Sequence, residues 1–400
     1  MPIGPILRAM RHNRMRFAFI ILEIAITLAI VTNAVNMILD ERTKMLQKSG
    51  FDDDNLVSVA YQPFAPEFKE ESYVEAMVQK DMRAIHSIPG VKSVATTYFL
   101  PWQGGGSSGL FKTDAFKEKF QAQLYAARGD IFGTLGVKVS QGRAFVETDT
   151  PVDPNVSTRV TIISRALAKK LWGDANPIGR VITSGEGTTP RTVIGVIDEF
   201  YNPYAWNIGE YVLFTPGRAY DSGGAVFLVR TEPGAMKSVA SQLEPRLLAV
   251  NPGRVFRQTT IAELKDRYYS AGKLVIRAMT GIIIVLVFVT ALGIMGITSL
   301  AVAERTKQIG TRRALGATRA DILRHFLMEN WLVTTAGLVL GVLGAYALNI
   351  LLVSKLSDVK MQWQLVAAGM ILLWLNGLLS TVPAAMRATL VPPSIATRSV

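Results

Sequence analysis

The sequence predicts an α-helical membrane protein with four transmembrane helices and a large α+β extracytoplasmic domain of two lobes inserted between helices 1 and 2. Three observations carry that prediction. Four apolar runs, 17–39, 274–303, 326–353 and 363–385, each reach the length of about 20 residues that a helix needs to cross a bilayer. Between the first two, Asp40 to Ile276 holds 28 Lys and Arg against 26 Asp and Glu, a nearly neutral stretch of soluble composition. The net charge of +12 is gathered instead in short flanks: four Arg in Met1–Arg16, six Lys and Arg against two acids in Glu304–Arg324, and Arg387 and Arg398 in the tail. That is the positive-inside pattern, and it places both termini and the 304–325 loop in the cytoplasm. A nucleic-acid protein would carry its basic excess on one face of a soluble fold, so nucleic acid is set aside as a partner.

The elements follow in order. Residues 1–16 alternate Ile3, Ile6, Leu7 and Met10 with Arg8, Arg11 and Arg14. They suit an amphipathic segment on an anionic lipid surface, or a plain positive flank. The run 17–39 is long for a secretory leader and lacks a small-x-small cleavage site, so it reads as an uncleaved first span. Glu23 inside it is either a functional intramembrane carboxylate or a residue near the cytoplasmic end that pairs with Arg14 or Arg16. Residues 40–273 form the external domain. A strand at Leu56–Tyr61, a helix with Val74, Met77, Val78, Met82 and Ile85 on one face, a Pro89-Gly90 turn and a strand at 91–100 make a first β-α-β order. Ala225–Thr231, the helix 236–250, a Pro-Gly turn and the strand from Arg254 repeat it. One lobe is therefore expected from 55–110 plus 223–272, with an outer lobe of roughly 111–222 inserted into it. In the third span, Gly337 and Gly341 form a small-xxx-small pair and Gly344 lies one heptad beyond Gly337, so another helix is expected to pack there closely. Residues 354–362 are a short external loop, Asn376 in the fourth span is expected to hydrogen-bond across helices, and 386–400 are a cytoplasmic tail.

Several chemistries lack their residues. There is no cysteine, and His12, His86 and His325 stand far apart outside any ligand pattern, so no metal or thiol site is expected. Gly104, Gly106 and Gly109 match G-x-G-x-x-G. However, Pro101 and Trp102 separate them from the preceding strand and no Lys-Ser/Thr follows. They read as a flexible inter-lobe loop, and no cofactor is expected. Asp198 and Glu199 lack a nucleophile or metal cluster beside them, so a membrane-anchored hydrolase is disfavoured.

The most informative stretch is ERTKQIGTRRALGATRADIL. A short cationic helix starts near Glu304 and ends at Gly316 as its left-handed cap residue. Thr318 and Asp321 then make a capping box for the next helix. A span delivering such a helix to the cytoplasm suits docking on a soluble partner, beside plain positive-inside anchoring by Arg312 and Arg313.

Glu304, Arg305, Ile309, Gly310, Arg312, Arg313, Ala314, Gly316 and Ala317 match, position by position, the signature of MacB/FtsX-type ABC transporter permeases, which this stretch resembles. Lys307-Gln308 departs from the usual acidic residue before the Ile. LWGDANPIGRVI (Leu171–Ile182) and RTVIGVIDEF (Arg191–Phe200) resemble the MacB-like periplasmic core domain, and PAAMRATLVPPSIATR is similar to the family's ending. The resemblance implies a non-catalytic permease subunit of the bacterial inner membrane. It also implies two copies of an ABC-type ATPase and a second permease, identical or related; the sixteen residues before the first span make the ATPase a separate chain. Glu304–Ala317, with Leu315, would form the docking element. A periplasmic adaptor and an outer-membrane channel are possible further partners, and membrane lipids surround the spans. The implied function is transmission of ATP-driven motion to the external domain for export of a drug, peptide or lipid-like molecule. Lipoprotein release is an alternative, although no gripping hairpin is legible, and regulation of a cell-wall hydrolase is another, although its external domain would be much smaller.

Overall fold

The computed structural model describes residues 14–103, 106–113, 118–151, 157–185, 189–203, 208–221, 223–353 and 361–392. The amphipathic reading of the first residues, Gly104, most of the 354–362 loop and the last eight residues of the tail lie outside them. The chain divides into two compact units: a helical one, Met1–Leu46 with Ala271–Val400, and a sheet-rich one, Gln47–Ser270.

In chain order, the helical unit contributes α1 (Arg14–Leu46) before the sheet unit begins with β1 (Leu56–Pro63), α2 (Glu71–His86) and β2 (Val91–Thr97). Next come β3 (Ser108–Lys112), β4 (Phe120–Gly129), α3 (Ile131–Leu135), β5 (Val139–Gly142), β6 (Val160–Ser164) and α4 (Arg165–Trp172). The sheet unit continues through β7 (Val181–Ser184), β8 (Pro190–Ile197), β9 (Val212–Pro216), β10 (Tyr220–Asp221) and β11 (Gly224–Thr231). It ends with α5 (Met236–Val250), β12 (Arg254–Thr260) and α6 (Ile261–Tyr268). The chain then returns to the helical unit as α7 (Ser270–Glu304), α8 (Thr306–Ala314), α9 (Arg319–Leu348) and α10 (Trp363–Thr389), with a π-helical turn at Asn349–Val353.

The two β-α-β orders interleave. Strands run β12-β1-β11-β2, each pair antiparallel, so β11 separates β1 from β2. This is the split β-α-β arrangement, in which each crossover helix must lie on the same face to close a core. Val74, Val78 and Ile85 of α2 and Val239, Leu243 and Leu247 of α5 are buried there against Val57, Val59, Phe227 and Val229. Under them sits a fully buried ion pair. Arg254 donates to both oxygens of Asp81, one bond measuring 2.6 Å, and its guanidinium lies 4.7 Å from the ring of Tyr61 and 5.1 Å from that of Phe256.

A second core belongs to strands β3 to β9. Successive pairings β4-β3-β7-β8-β6-β9 return to β4 through a parallel β4–β9 contact, so six strands close a ring. Closure leaves these strands without free edges. Phe111, Phe120, Ile163, Ile182, Val193 and Leu213 pack inside with Leu167 and Leu171 of α4. The glycine-rich segment is not loop throughout, because Ser108 and Gly109 pair with Gln123 and Ala122 in β3. Trp102 before it has φ 60, a conformation bulky residues avoid. It is held there by burial, with Phe51 5.3 Å away and Lys265 5.0 Å over its ring.

In the helical unit, α1, α7, α9 with its π turn and α10 are each long and apolar enough to cross a membrane. Asn376 donates to the carbonyl of Val287 on α7 at 3.2 Å, an interhelical bond as its position in an apolar run suggests.

Candidate functional site

The site is assembled where α7 stops. Glu304 is its last residue, and Arg305 leaves helical geometry at φ −100 and ψ 11 before α8 begins. Gly316 closes α8 with φ 98. Its N–H donates to the carbonyl of Arg313 at 3.1 Å, and that of Ala317 to the carbonyl of Arg312 at 3.0 Å, a pair that satisfies carbonyls at the helix end. Thr318 and Asp321 form the reciprocal capping box: Thr318 Oγ1 accepts from the Asp321 N–H at 3.2 Å, and Asp321 Oδ2 accepts from the Thr318 N–H at 3.0 Å. Since this box sits at Thr318, α9 begins at Arg319, before the apolar run itself.

The ten docking residues read from the sequence do not face one way. Ile309 and Gly310 are buried, Ile309 against Phe326 of α9 and Ala385 and Ala388 of α10. Arg305 donates to Glu329 Oε2 of α9 at 2.8 Å. Arg313 turns inward and donates to the carbonyls of Thr389 and Val391 at 3.0 and 2.7 Å. Arg312, Ala314, Leu315 and Gly316 are exposed, with Lys307, Gln308 and Thr311 beside them. Leu315 is 84% exposed. One helix thus has an apolar face on the bundle and a cationic face with a bare leucine at its end.

Two members of this site have no local sequence signal. Arg16 of α1 donates to both oxygens of Glu304 at 3.0 and 2.7 Å, across 288 residues. The pairing of Arg16 with Glu23 considered above does not form. The Glu23 carboxylate instead faces Gly293 of α7, where a Cβ would lie 2.6 Å from it. Glu329 is the second, a carboxylate 8% exposed near the start of the apolar run of α9. A carboxylate in a presumptive span is the one signal that would have found it.

The glycines of α9 meet α1. A Cβ on Gly337 would lie 2.8 Å from Ile24 Cβ and one on Gly341 2.9 Å from Leu28 Cβ, while Gly344 has room, its nearest neighbour being Ala29 Cβ at 3.4 Å. At the far end Asn33 donates to the carbonyl of Ala345 at 3.0 Å and accepts from Asn349 at 3.3 Å. Among the described residues, no group of three His, Asp or Glu is placed to hold a metal ion.

Residues 17–246 match the MacB-like periplasmic core domain, and residues 280–393 match the FtsX-like permease C-terminal domain. The chain belongs to the MacB/FtsX-type ABC transporter permeases. The permease is 25% identical over 369 residues to YknZ, an ABC transporter permease of Bacillus subtilis (strain 168), covering 89% of this chain and 88% of that one. It is 27% identical over 301 residues to the macrolide export ATP-binding/permease protein MacB of Hahella chejuensis, covering 74% of this chain. The permease spans 44% of that protein's length. A crystal structure of the periplasmic region of MacB from Actinobacillus actinomycetemcomitans overlays on 56% of the permease and 97% of that chain, with a TM-score of 0.37 and 19% identity.

Proposed function

We propose that this permease is the membrane subunit through which a partner ATPase drives motion of the periplasmic domain, for export of a drug, peptide or lipid-like molecule. It sits in the bacterial inner membrane with both termini and α8 in the cytoplasm, works with two ATPase copies and a second permease, and performs no catalysis itself. The outer lobe of roughly 111–222, inserted in the β-α-β lobe, is the part that engages substrate or an adaptor leading to an outer-membrane channel.

The two-sidedness of α8 carries this reading. A helix anchored by Ile309 on one face and presenting Lys307, Arg312 and the 84% exposed Leu315 on the other has the makeup of an interface anchor. Arginine with an apolar neighbour in a desolvated pocket is where binding energy concentrates, at about 2 kcal/mol or more per anchor. The inward residues, Arg305, Ile309, Gly310 and Arg313, hold the helix in place for it.

The test is affinity purification of the full chain in mild detergent with identification of every co-purifying protein. Wild type is expected to recover an ATPase. Arg312→Ala with Leu315→Ala is expected to weaken that recovery by about 30-fold or more, the factor for roughly 2 kcal/mol. A wild-type eluate without an ATPase refutes the reading.

A further inference from the structure

The ends of all four long helices converge on α8 through side chains that docking leaves unused. Arg305 joins the α7–α8 corner to Glu329 of α9 at 2.8 Å. Arg313 joins α8 to the last carbonyl of α10, that of Thr389, at 3.0 Å and to that of Val391 just beyond it at 2.7 Å. A helix end leaves such carbonyls without partners and favours a cation beside them. Arg16 joins α1 to Glu304 through two bonds of 3.0 and 2.7 Å. Burial makes the Glu329 contact exacting, because a carboxylate only 8% exposed gains little hydration in place of Arg305.

The rest of the helical unit is unevenly tied. α1, α9 and α10 approach closely at Gly337, Gly341, Gly369 and Gly377, and Asn33 bridges α1 to α9. α7 is the most exposed of the four in the single chain, 11% of its most apolar stretch being buried against 56% for α1, and it is tied by polar bonds: Thr27 of α1 to Thr290 at 2.9 Å and Asn376 of α10 to the Val287 carbonyl at 3.2 Å. The residues it buries are Thr290, Ile294, Ala301 and Val302. Its backbone also leaves helical geometry at Arg305, the place where a bend concentrates.

We propose that Glu329 and Arg313 are positioning residues that lock α8 to α9 and α10, while Arg16 ties α1 to the end of α7 from which α8 departs. A displacement of α8 is then delivered to the helical bundle as one body, and through α1 and α7 to the chain that they border. This rests on the docking reading given above.

The chain has no cysteine, so spin labels can be placed on engineered ones without removing any. Two label pairs are used in the full chain with its co-purified ATPase, in nanodiscs and diluted with unlabelled chain. Gln308→Cys with Met386→Cys reports how firmly α8 sits on α10. Leu46→Cys with Leu274→Cys reports the response of α1 and α7 at their far ends to ATP, magnesium and vanadate. Wild type is expected to give a narrow distribution for the first pair and a nucleotide-dependent shift of several ångströms for the second. Glu329→Gln, and independently Arg313→Gln, are expected to keep the ATPase bound, widen the first distribution at least twofold and lose more than half of the second shift. The reversal Arg305→Glu with Glu329→Arg is expected to restore both, which a simple loss of folding would not. If the ATPase is recovered and both single variants match wild type in both readouts, the lock is overturned while docking stands. If wild type recovers no ATPase, docking fails and the relay fails with it.

Discussion

The glycines of α9 allow a prediction whose sign changes along one helix. Contacts between carbon atoms are most favourable at about 3.5–4.0 Å. A Cβ on Gly341 would lie 2.9 Å from Leu28 Cβ and 3.1 Å from Ala25 Cα, and one on Gly337 2.8 Å from Ile24 Cβ and 3.0 Å from the Ile21 carbonyl oxygen. Two of these neighbours are backbone atoms, so no rotamer change clears them and α1 itself must withdraw. Overpacking of this kind costs about 1–3 kcal/mol. Alanine in place of a helical glycine returns about 0.8–1 kcal/mol. Gly337→Ala and Gly341→Ala are therefore expected to lose up to about 2 kcal/mol net. Gly344→Ala meets only Ala29 Cβ at 3.4 Å and is expected to gain up to about 1 kcal/mol. Thermal unfolding of the full chain in detergent, with hydrogen exchange of α1 followed in parallel, reads both signs. Equal effects at Gly341 and Gly344, or a Gly341→Ala variant more stable than wild type, would refute the reasoning that α1 packs on this seam.

Three further outcomes are expected. Asp81→Asn leaves the fully buried Arg254 without its counter-charge and is expected to cost about 3–5 kcal/mol, seen as faster hydrogen exchange in α2 and β12. Asp81→Leu with Arg254→Met removes both charges and is expected to recover most of that loss by the same measurement. The third concerns acid. Burial pushes the Glu75 carboxyl up, but hydrogen bonds from Tyr220 and Gln79 and the charge of Arg128 outweigh it and hold the group below its ordinary value of 4.5. A depressed folded-state value contributes stability that is fully present above 4.5 and is lost as pH falls through the folded value. Protection against exchange in β10 and α2, with rates normalised to the intrinsic rate at each pH, should thus stay level from neutral pH down to the ordinary carboxylate range and fall only below it. Glu75→Gln is expected to remove that acid-sensitive fall; an unchanged profile in this variant would assign the acid sensitivity elsewhere.

What was legible in the sequence follows the range of the interactions that decide it. Helix α5 is predicted over 236–250 and found over Met236–Val250, and the caps at Gly316 and Thr318 form as their residues imply. Each depends on groups within four positions of each other. The face of α2 forms as its spacing implies: Val74, Met77, Val78 and Ile85 are buried and Met82 packs half-buried against the same core, but Asp81 is buried beside them. Helical spacing cannot show that an arginine 173 residues away neutralises that aspartate. The same limit hid the ring of short strands. Of its strands β7 has four residues and β3, β6 and β9 five each, too few for alternation to register, and the ring closes by a parallel pairing of β4 with β9 across a long stretch of chain.

The docking stretch shows how motif and geometry divide the information. The resemblance assigns ten residues from Glu304 to Ala317 one docking role, because a sequence motif carries no information on which way each side chain faces. In a helix, residues i and i+1 point about 100° apart, so adjacent Arg312 and Arg313 cannot serve the same surface. The structure sends Arg312 outward and Arg313 to the end of α10. The anchoring partners of that inward set, Glu329 and Arg16, lie outside the motif, 24 and 288 residues from Arg305 and Glu304. If docking and the lock are as proposed, a substitution survey confined to the motif mixes two phenotypes, loss of the partner and loss of the transmitted motion. Comparing Arg312→Ala with Glu329→Gln separates them, because only the first alters the surface that a partner can touch.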